Sequence, residues 1–413
     1  MRIVRVLAVP VRGGFFTDDQ AAIRAGRRRD GFTYDGAPVT AGFVAVRQPA
    51  EAVSVLLELE DGQIAHGDCA SVQYAGAGGR DPVFSALDGA ATIERAVAVA
   101  LAGRELASFR DLAEELDALH DRGRPLHSAL RYGVTQAALD AVARARGVTM
   151  AEVVRDDYHT GVRLRPVGVF AQCGDDRYDN VDKMVLKGAD ALPHGLINNV
   201  SEKVGPDGEL LLDYVRWVRE RVFRLRRDPS YEPLIHLDVY GTLGIAFDGD
   251  IARLADYLAR LAAAAAPLQL RVEHPLDAGS RDAQVAAMAA LRRTLAARRV
   301  PVQLAVDEWC NTAADVAAFV AAGAADVVHV KMPDLGGLNN AIESLLLVRR
   351  AGLRAYCGGS ATETDRSAQV TAHVAMACAA DQVLAKPGMG VDEGMMIVGN
   401  EMARVEALAA RRR

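Results

Sequence analysis

Asp238, Glu273, Asp307 and Lys331 have the side chains needed for acid–base chemistry on a metal-held substrate, and each ends a short apolar run: PLIHLD, LQLRVE, VQLAVD and ADVVHVK. They lie 35, 34 and 24 positions apart, about one strand and one helix each. If the runs are successive parallel strands, their C-terminal ends share one face and the three carboxylates converge. Buried acids so placed repel each other and must be paired or hold a cation. An all-oxygen set with no Cys and no clustered His suits a hard ion such as Mg2+. Any one of these acids reads equally well as a turn residue or helix cap. Three in register, with a lysine on the next strand, form a site.

Beside such an ion, burial and the cation's charge are expected to push Lys331 towards its neutral, basic form. His194 in ALPHGLINN ends an earlier strand and faces the same cavity as a second acid or base, although a core or capping histidine has the same local pattern. Gln172 in FAQC ends another strand and can bind a carboxylate or an amine without adding charge. A carboxylate substrate chelated to the ion has its α-proton acidified, because the cation stabilises the dianionic enolate. Reprotonation then gives racemisation, and loss of a β-leaving group gives elimination. The residue types leave both open.

The elements that must position these groups follow from pattern and composition. At 413 residues and 44.0 kDa, half hydrophobic and a quarter charged, the chain is globular and long enough for two domains or a large barrel with an appendage. Its 54 acidic against 48 basic side chains give a charge of −6, which offers no electrostatic reason to bind nucleic acid or anionic membrane. No apolar run approaches the ~20 residues of a membrane span. Five scattered cysteines, Cys69, Cys173, Cys310, Cys357 and Cys378, form no CxxC pair and fit a reduced cytoplasm.

Up to about residue 80, apolar runs such as MRIVRVLAVPV, GFVAVRQ from Gly42 and SVLLELEDGQIAHGD from Ser54 alternate with turns and predict antiparallel sheet. Helices follow: SFRDLAEELDALH capped by Ser108, then Ser128 to Arg146 stopped by Gly147. After about residue 160, strands and helices alternate strictly, with Thr312 as cap and Gly323 as stop of one helix. The fold expected is α/β: an N-terminal α+β capping domain over residues 1–160 and a (β/α)8 TIM-type barrel over 161–413.

Long rare strings then identify the chain's resemblance. QYAGAGGRDP from Gln73, FAQCGDDRYDNVDKM from Phe170, LPHGLINN around His194, HLDVYGT around Asp238, AVDEWCNT around Asp307 and KPGMGVDEGMMIV from Lys386 resemble, nearly end to end, the methylaspartate ammonia-lyases of the enolase superfamily. The resemblance implies an enolase-like capped barrel, a cytoplasmic homodimer, Mg2+ with a monovalent activator such as K+, and reversible loss of ammonia from 3-methylaspartate to give mesaconate. It implies Asp238, Glu273 and Asp307 as metal ligands, Lys331 as base for the C3 proton of the (2S,3S) substrate, and His194 as base for the opposite C3 epimer. Gln172 and Gln73 would hold the amino-acid end, and Leu384 would line the pocket near the amine.

The chain departs from the family pattern where substrate is read. His329 stands for a usual Gln, Ser360 and Ala361 for Thr and Cys, His274 for Gly and Met332 for Thr. An alternative is therefore the same metal–enolate elimination, or amine addition, on a different aspartate-like acid. More remote are a barrel that binds a dicarboxylate without turnover and a Lys331 Schiff-base aldolase.

Overall fold

Two kinds of sheet build the molecule, as the change of period near residue 160 predicts. The computed structural model describes residues 1–412; Arg413, the last position of the expected barrel domain, lies outside the described residues. The first sheet is antiparallel and consists of β1 (Ile3–Asp18), β2 (Arg47–Leu59) and β3 (Ile64–Ala70) in that order. Along β2, Val53, Val55, Leu57 and Leu59 are buried, so alternate residues face the helices. The run from Gly42 is not a strand: Phe43 and Val46, three positions apart, are buried as loop anchors while Val44 is 84% exposed. The strand starts at Arg47, whose guanidinium bonds both oxygens of Asp18 at 2.7 Å.

Helix α2 (Ser128–Arg146) packs on this sheet, with α1 (Phe109–Asp117) and α3 (Met150–Asp157) against α2. The Ser108 side chain accepts from the Asp111 N–H at the start of α1, and Gly147 closes α2 at φ +63°, both as expected. Helix α2 is buried on nearly every face because it lies between sheet and barrel. Gly133 on α2 and Gly67 on β3 let the two backbones touch: a Cβ on Gly133 would come within 2.3 Å of the Cys69 nitrogen.

The second sheet is a closed barrel of eight parallel strands: β4 (Gly168–Phe170), β5 (Ala191–His194), β6 (Leu234–Asp238), β7 (Leu270–Glu273), β8 (Val302–Val306), β9 (Val327–Lys331), β10 (Arg354–Gly358) and β11 (Gln382–Leu384). Each is followed by a covering helix: α4 (Asp179–Lys187), α5 (Glu209–Leu225), α6 (Ile251–Ala265), α7 (Arg281–Ala297), α8 (Ala313–Ala321), α9 (Leu338–Arg350), α10 (Asp365–Cys378) and α11 (Val391–Ala410). Thr312 caps α8 through a capping box. Phe170, Ala191, Ala305, Val327, Tyr356 and Leu384 pack inside the strands, so the barrel is a filled core rather than a pore. The fold is thus a (β/α)8 barrel with an N-terminal α+β cap. All five cysteines are unpaired and buried, and no helix among the described residues is long and apolar enough to cross a membrane.

Candidate active site

Strand register brings the sequence-selected acids together. Asp238 pairs with Glu273 across the β6–β7 ladder, Glu273 pairs with Ala305, and Asp307 follows the end of β8. Lys331 ends β9 opposite Gly358 of β10. Asp238, Asp307, Lys331, His194, Gln172, His329, Ser360, Ala361, Leu384 and Gln73 line one cavity, to which the cap also contributes Tyr74 and Arg80. Glu273 is fully buried, 0% exposed, and does not line that cavity. The cavity's free space is about 40 Å3, room for no more than a few waters. Open clefts elsewhere are larger, such as one of about 520 Å3 bounded by Phe84, Arg122 and Leu130, but none gathers these buried acids and bases.

Glu273 is gripped from several sides. It accepts from His236 Nε2 at 2.7 Å, from His329 Nδ1 at 3.0 Å and from the Tyr356 hydroxyl at 2.6 and 2.7 Å. Burial alone would raise its carboxyl pKa, but the facing imidazoles hold it well below the usual range. Burial drives the His236 pKa down to about 3, so its ring is a neutral donor. Asp307 Oδ2 accepts from Lys331 Nζ at 2.5 Å, while its Oδ1 lies 3.3 Å from Arg80 Nη2 and 3.4 Å from His329 Nδ1. Burial opposes these neighbours, yet they bring Asp307 down to about 2.

Asp238 has the opposite fate: burial first, then the charges of Glu273, Glu308 and Asp307, pushes its pKa well above the usual carboxylate range. Lys331 offsets this only in part, so Asp238 is a buried carboxyl crowded by other acids, an environment that a bound cation would relieve. Donor atoms of Glu273, Asp307 and His329 all lie within 4.8 Å of one another, close enough to share an ion; the predicted ligand Asp238 is not in that group. His194 Nε2 stands 3.4 Å from Asp238 Oδ2, and burial lowers its pKa to about 4, leaving a neutral imidazole.

With no metal cation beside it, Lys331 is held in its charged form: burial and Arg80 lower its pKa, but Asp307, Asp334 and Glu308 outweigh them and raise it. The remaining predicted groups are held by the surrounding backbone. Gln172 Nε2 donates to the Gly388 carbonyl at 2.7 Å, and Gln73 Nε2 donates to Asp18 at 2.9 Å. The Ser360 N–H donates to Glu363, which is ion-paired to fully buried Lys386 at 2.6 Å and bonded by Tyr132 of α2 at 2.8 Å. Ala361 and Leu384 supply apolar wall. His274 takes φ +49°, a conformation glycine adopts without strain.

Sequence reading missed His236, Tyr356 and Arg80. The first two were within reach, since residues two positions apart on a strand share a face: His236 precedes Asp238 by two, as His329 precedes Lys331. Arg80 reaches Asp334 at 2.8 Å, Asp307 at 3.3 Å and Glu308 at 3.7 Å from another domain, and no periodicity announces that.

With the geometry in hand, comparison with known proteins is specific. Family models described as methylaspartate ammonia-lyase N-terminus and C-terminus match residues 1–159 and 161–411. The chain is 57% identical to methylaspartate ammonia-lyase of Clostridium tetanomorphum, covering 100% of both. The crystal structure of the β-methylaspartase from that organism, a Mg complex, superposes with TM-score 0.95 over 100% of both chains. The Citrobacter amalonaticus enzyme containing (2S,3S)-3-methylaspartic acid is 46% identical and superposes with TM-score 0.97, covering 99% of this chain and 100% of that one. Muconate lactonizing enzyme from Pseudomonas putida, 17% identical with TM-score 0.60 over 91% of this chain and 85% of that one, shares the fold.

Proposed function

The chain belongs to the methylaspartate ammonia-lyase family, and from that premise we propose how its own residues carry the reaction. It is a carbon–nitrogen lyase that eliminates ammonia reversibly from 3-methylaspartate to give mesaconate. The observation that carries this reading is the convergence of Asp238, Asp307, Lys331 and His194 on one small cavity, with Glu273 buried behind it. Asp238, Glu273 and Asp307 hold a divalent ion, Mg2+ by analogy with the Clostridium complex; the crowding of buried acids around Asp238 supports this. When bound, the ion supplies charge stabilisation for the substrate carboxylate as the adjacent C–H bond breaks.

Lys331 Nζ takes the C3 proton of the (2S,3S) substrate, the C–H electron pair becomes the C2=C3 bond, and the C2–N pair leaves with ammonia. For Lys331 to accept that proton it must shed its own, which requires Asp307 to turn its charge from the ammonium to the ion. His194 serves the other C3 epimer. Strands β5 and β9 are four apart in a ring of eight, so His194 and Lys331 approach a central substrate from opposite sides. His194 is neutral and can accept a proton. Gln172, Gln73, His329 and the 360–361 backbone bind the amino-dicarboxylate, and Leu384 walls the amine.

The domain boundary falls at 160/161, supported by matched segments that end at 159 and begin at 161. K+ activation, a homodimer, a cytoplasmic location and no nucleic-acid or membrane partner complete the proposal; the net charge of −6 supports the last. The test is a product assay across aspartate, 3-methylaspartate and larger 3-substituted aspartates with Mg2+, with K+ or Na+. Mesaconate from 3-methylaspartate, faster with K+, is expected. Turnover confined to another aspartate would favour the altered-substrate reading that His329, Ser360 and Ala361 raise, and no turnover of any would reject the lyase.

A further inference from the structure

His329 is placed more like a ligand than like a reader of substrate. Its Nδ1 points at two carboxylate oxygens, Glu273 Oε1 at 3.0 Å and Asp307 Oδ1 at 3.4 Å. Donors bound about 2.1 Å from one octahedral ion stand about 3 Å apart along each edge. Both distances are close to such an edge. The ring is also fixed. It stacks on Tyr356 with centroids 4.2 Å apart and planes 24° from parallel, and it is only 4% exposed.

Gly358 makes that position possible, because a Cβ there would lie 1.6 Å from His329 Nε2. Nε2 itself is buried and has no hydrogen-bond partner. An imidazole that offers its Nδ1 lone pair to a cation must carry its proton on Nε2, and nothing in this structure ties up that nitrogen. Without the ion, Nδ1 carries the proton and donates to Glu273; a divalent ion among these donors would take the Nδ1 lone pair and leave the proton on Nε2.

We propose that His329 Nδ1 is a ligand of the divalent ion held by Glu273 and Asp307, which gives this centre a nitrogen donor. The inference rests on the proposed reading that these acids bind the ion. Carboxylates alone favour Mg2+, whereas imidazole favours borderline transition ions. The site therefore binds Mn2+, Co2+ or Zn2+ with a preference over Mg2+ that depends on His329.

The test uses metal-free full-length protein and its His329→Gln variant, with His329→Ala as a second variant. Calorimetric titration with Co2+ and with Mg2+ should show the ratio of the two affinities falling about tenfold or more on loss of His329. The Mn2+-loaded wild type should give the 14N coupling of a directly bound nitrogen by pulsed double resonance, lost in both variants. If neither variant folds, the wild-type spectrum decides alone, since absence of that coupling overturns the inference. Unchanged selectivity with no bound nitrogen leaves the acid site intact and removes His329 from it. Failure of the wild type to bind any divalent ion removes both this inference and the metal reading beneath it.

Discussion

Glu273 depends on its neighbours more than any other acid at the barrel mouth. Both of its oxygens accept from the Tyr356 hydroxyl, one also from His236 and the other from His329, so its orientation is set before any cation arrives. Groups that orient a ligand in this way are worth about 10–100-fold in metal affinity. Tyr356→Phe keeps the ring beneath His329 and removes only the hydroxyl. Mg2+ affinity measured by calorimetry should fall about tenfold or more, with the circular dichroism spectrum unchanged. An unaltered affinity would show that the two histidines suffice.

At the scale of elements, the decisive piece is the cap loop that brings Arg80 over the barrel. Gly76, Gly78 and Gly79 turn it with φ of +72°, +59° and +82°, and the Asn311 side chain donates to the Gly78 carbonyl at 2.6 Å. Arg80 then faces Asp307, Glu308 and Asp334 from a buried position. Removing one partner of such a buried network leaves the others charged and unpaired, at about 3–5 kcal/mol. Arg80→Met should cost about that much in urea unfolding and lower turnover, because Asp307 loses one of the cations that fix it.

A second contact between elements gives a pH signature. Glu401 on α11 accepts from His373 on α10 at 2.9 Å and from Arg404 at 2.7 and 2.9 Å. Burial works to raise its pKa, but these bonds win and lower it from an ordinary 4.5 to about 2. Its ionised form therefore favours the fold above pH 4.5, and that contribution is lost as pH falls through about 2. Glu401→Gln should cost about 1–2 kcal/mol near neutrality after allowance for solvent screening. The gap from wild type should shrink on acidification; a gap that stays constant with pH would contradict the assignment.

These two contacts also mark where sequence reading stops. The strand ends were legible because each apolar run breaks at a single charged residue one strand–helix unit after the last, so Asp238, Glu273, Asp307 and Lys331 could be set on one face without coordinates. His236 and Tyr356 obey the same two-residue alternation, but buried in apolar runs they look like core. Arg80 was illegible because its partners lie more than 220 positions away. The loop at Phe43 and Val46 was misread because a short apolar run resembles a strand even where its buried anchors lie three positions apart and make no ladder.

The whole molecule is a cap and a barrel joined through polar contacts as well as apolar packing. Tyr132 and Gly14 of the cap bond Glu363 of the barrel, the Gly14 N–H also bonds Thr362, and Asp117 accepts from the Gly337 N–H. Because the acids of the barrel mouth repel one another and burial with these neighbours raises the Asp238 pKa, a divalent ion should stabilise the assembly. A hundredfold excess of Mg2+ over its Kd contributes about 2.7 kcal/mol. Calorimetric scans should show Tm rising with Mg2+ in the wild type and far less in Asp238→Asn. Equal shifts in both would place the ion elsewhere.

Lys331 as the base, beside acids that hold the ion, is the claim on which the rest depends. Single-turnover formation of mesaconate from (2S,3S)-3-methylaspartate should be compared in wild type and Lys331→Ala under saturating Mg2+, with metal affinity measured alongside. The account predicts a loss of about a hundred- to ten-thousand-fold in rate with Mg2+ binding retained. An undiminished rate in the alanine variant would contradict it.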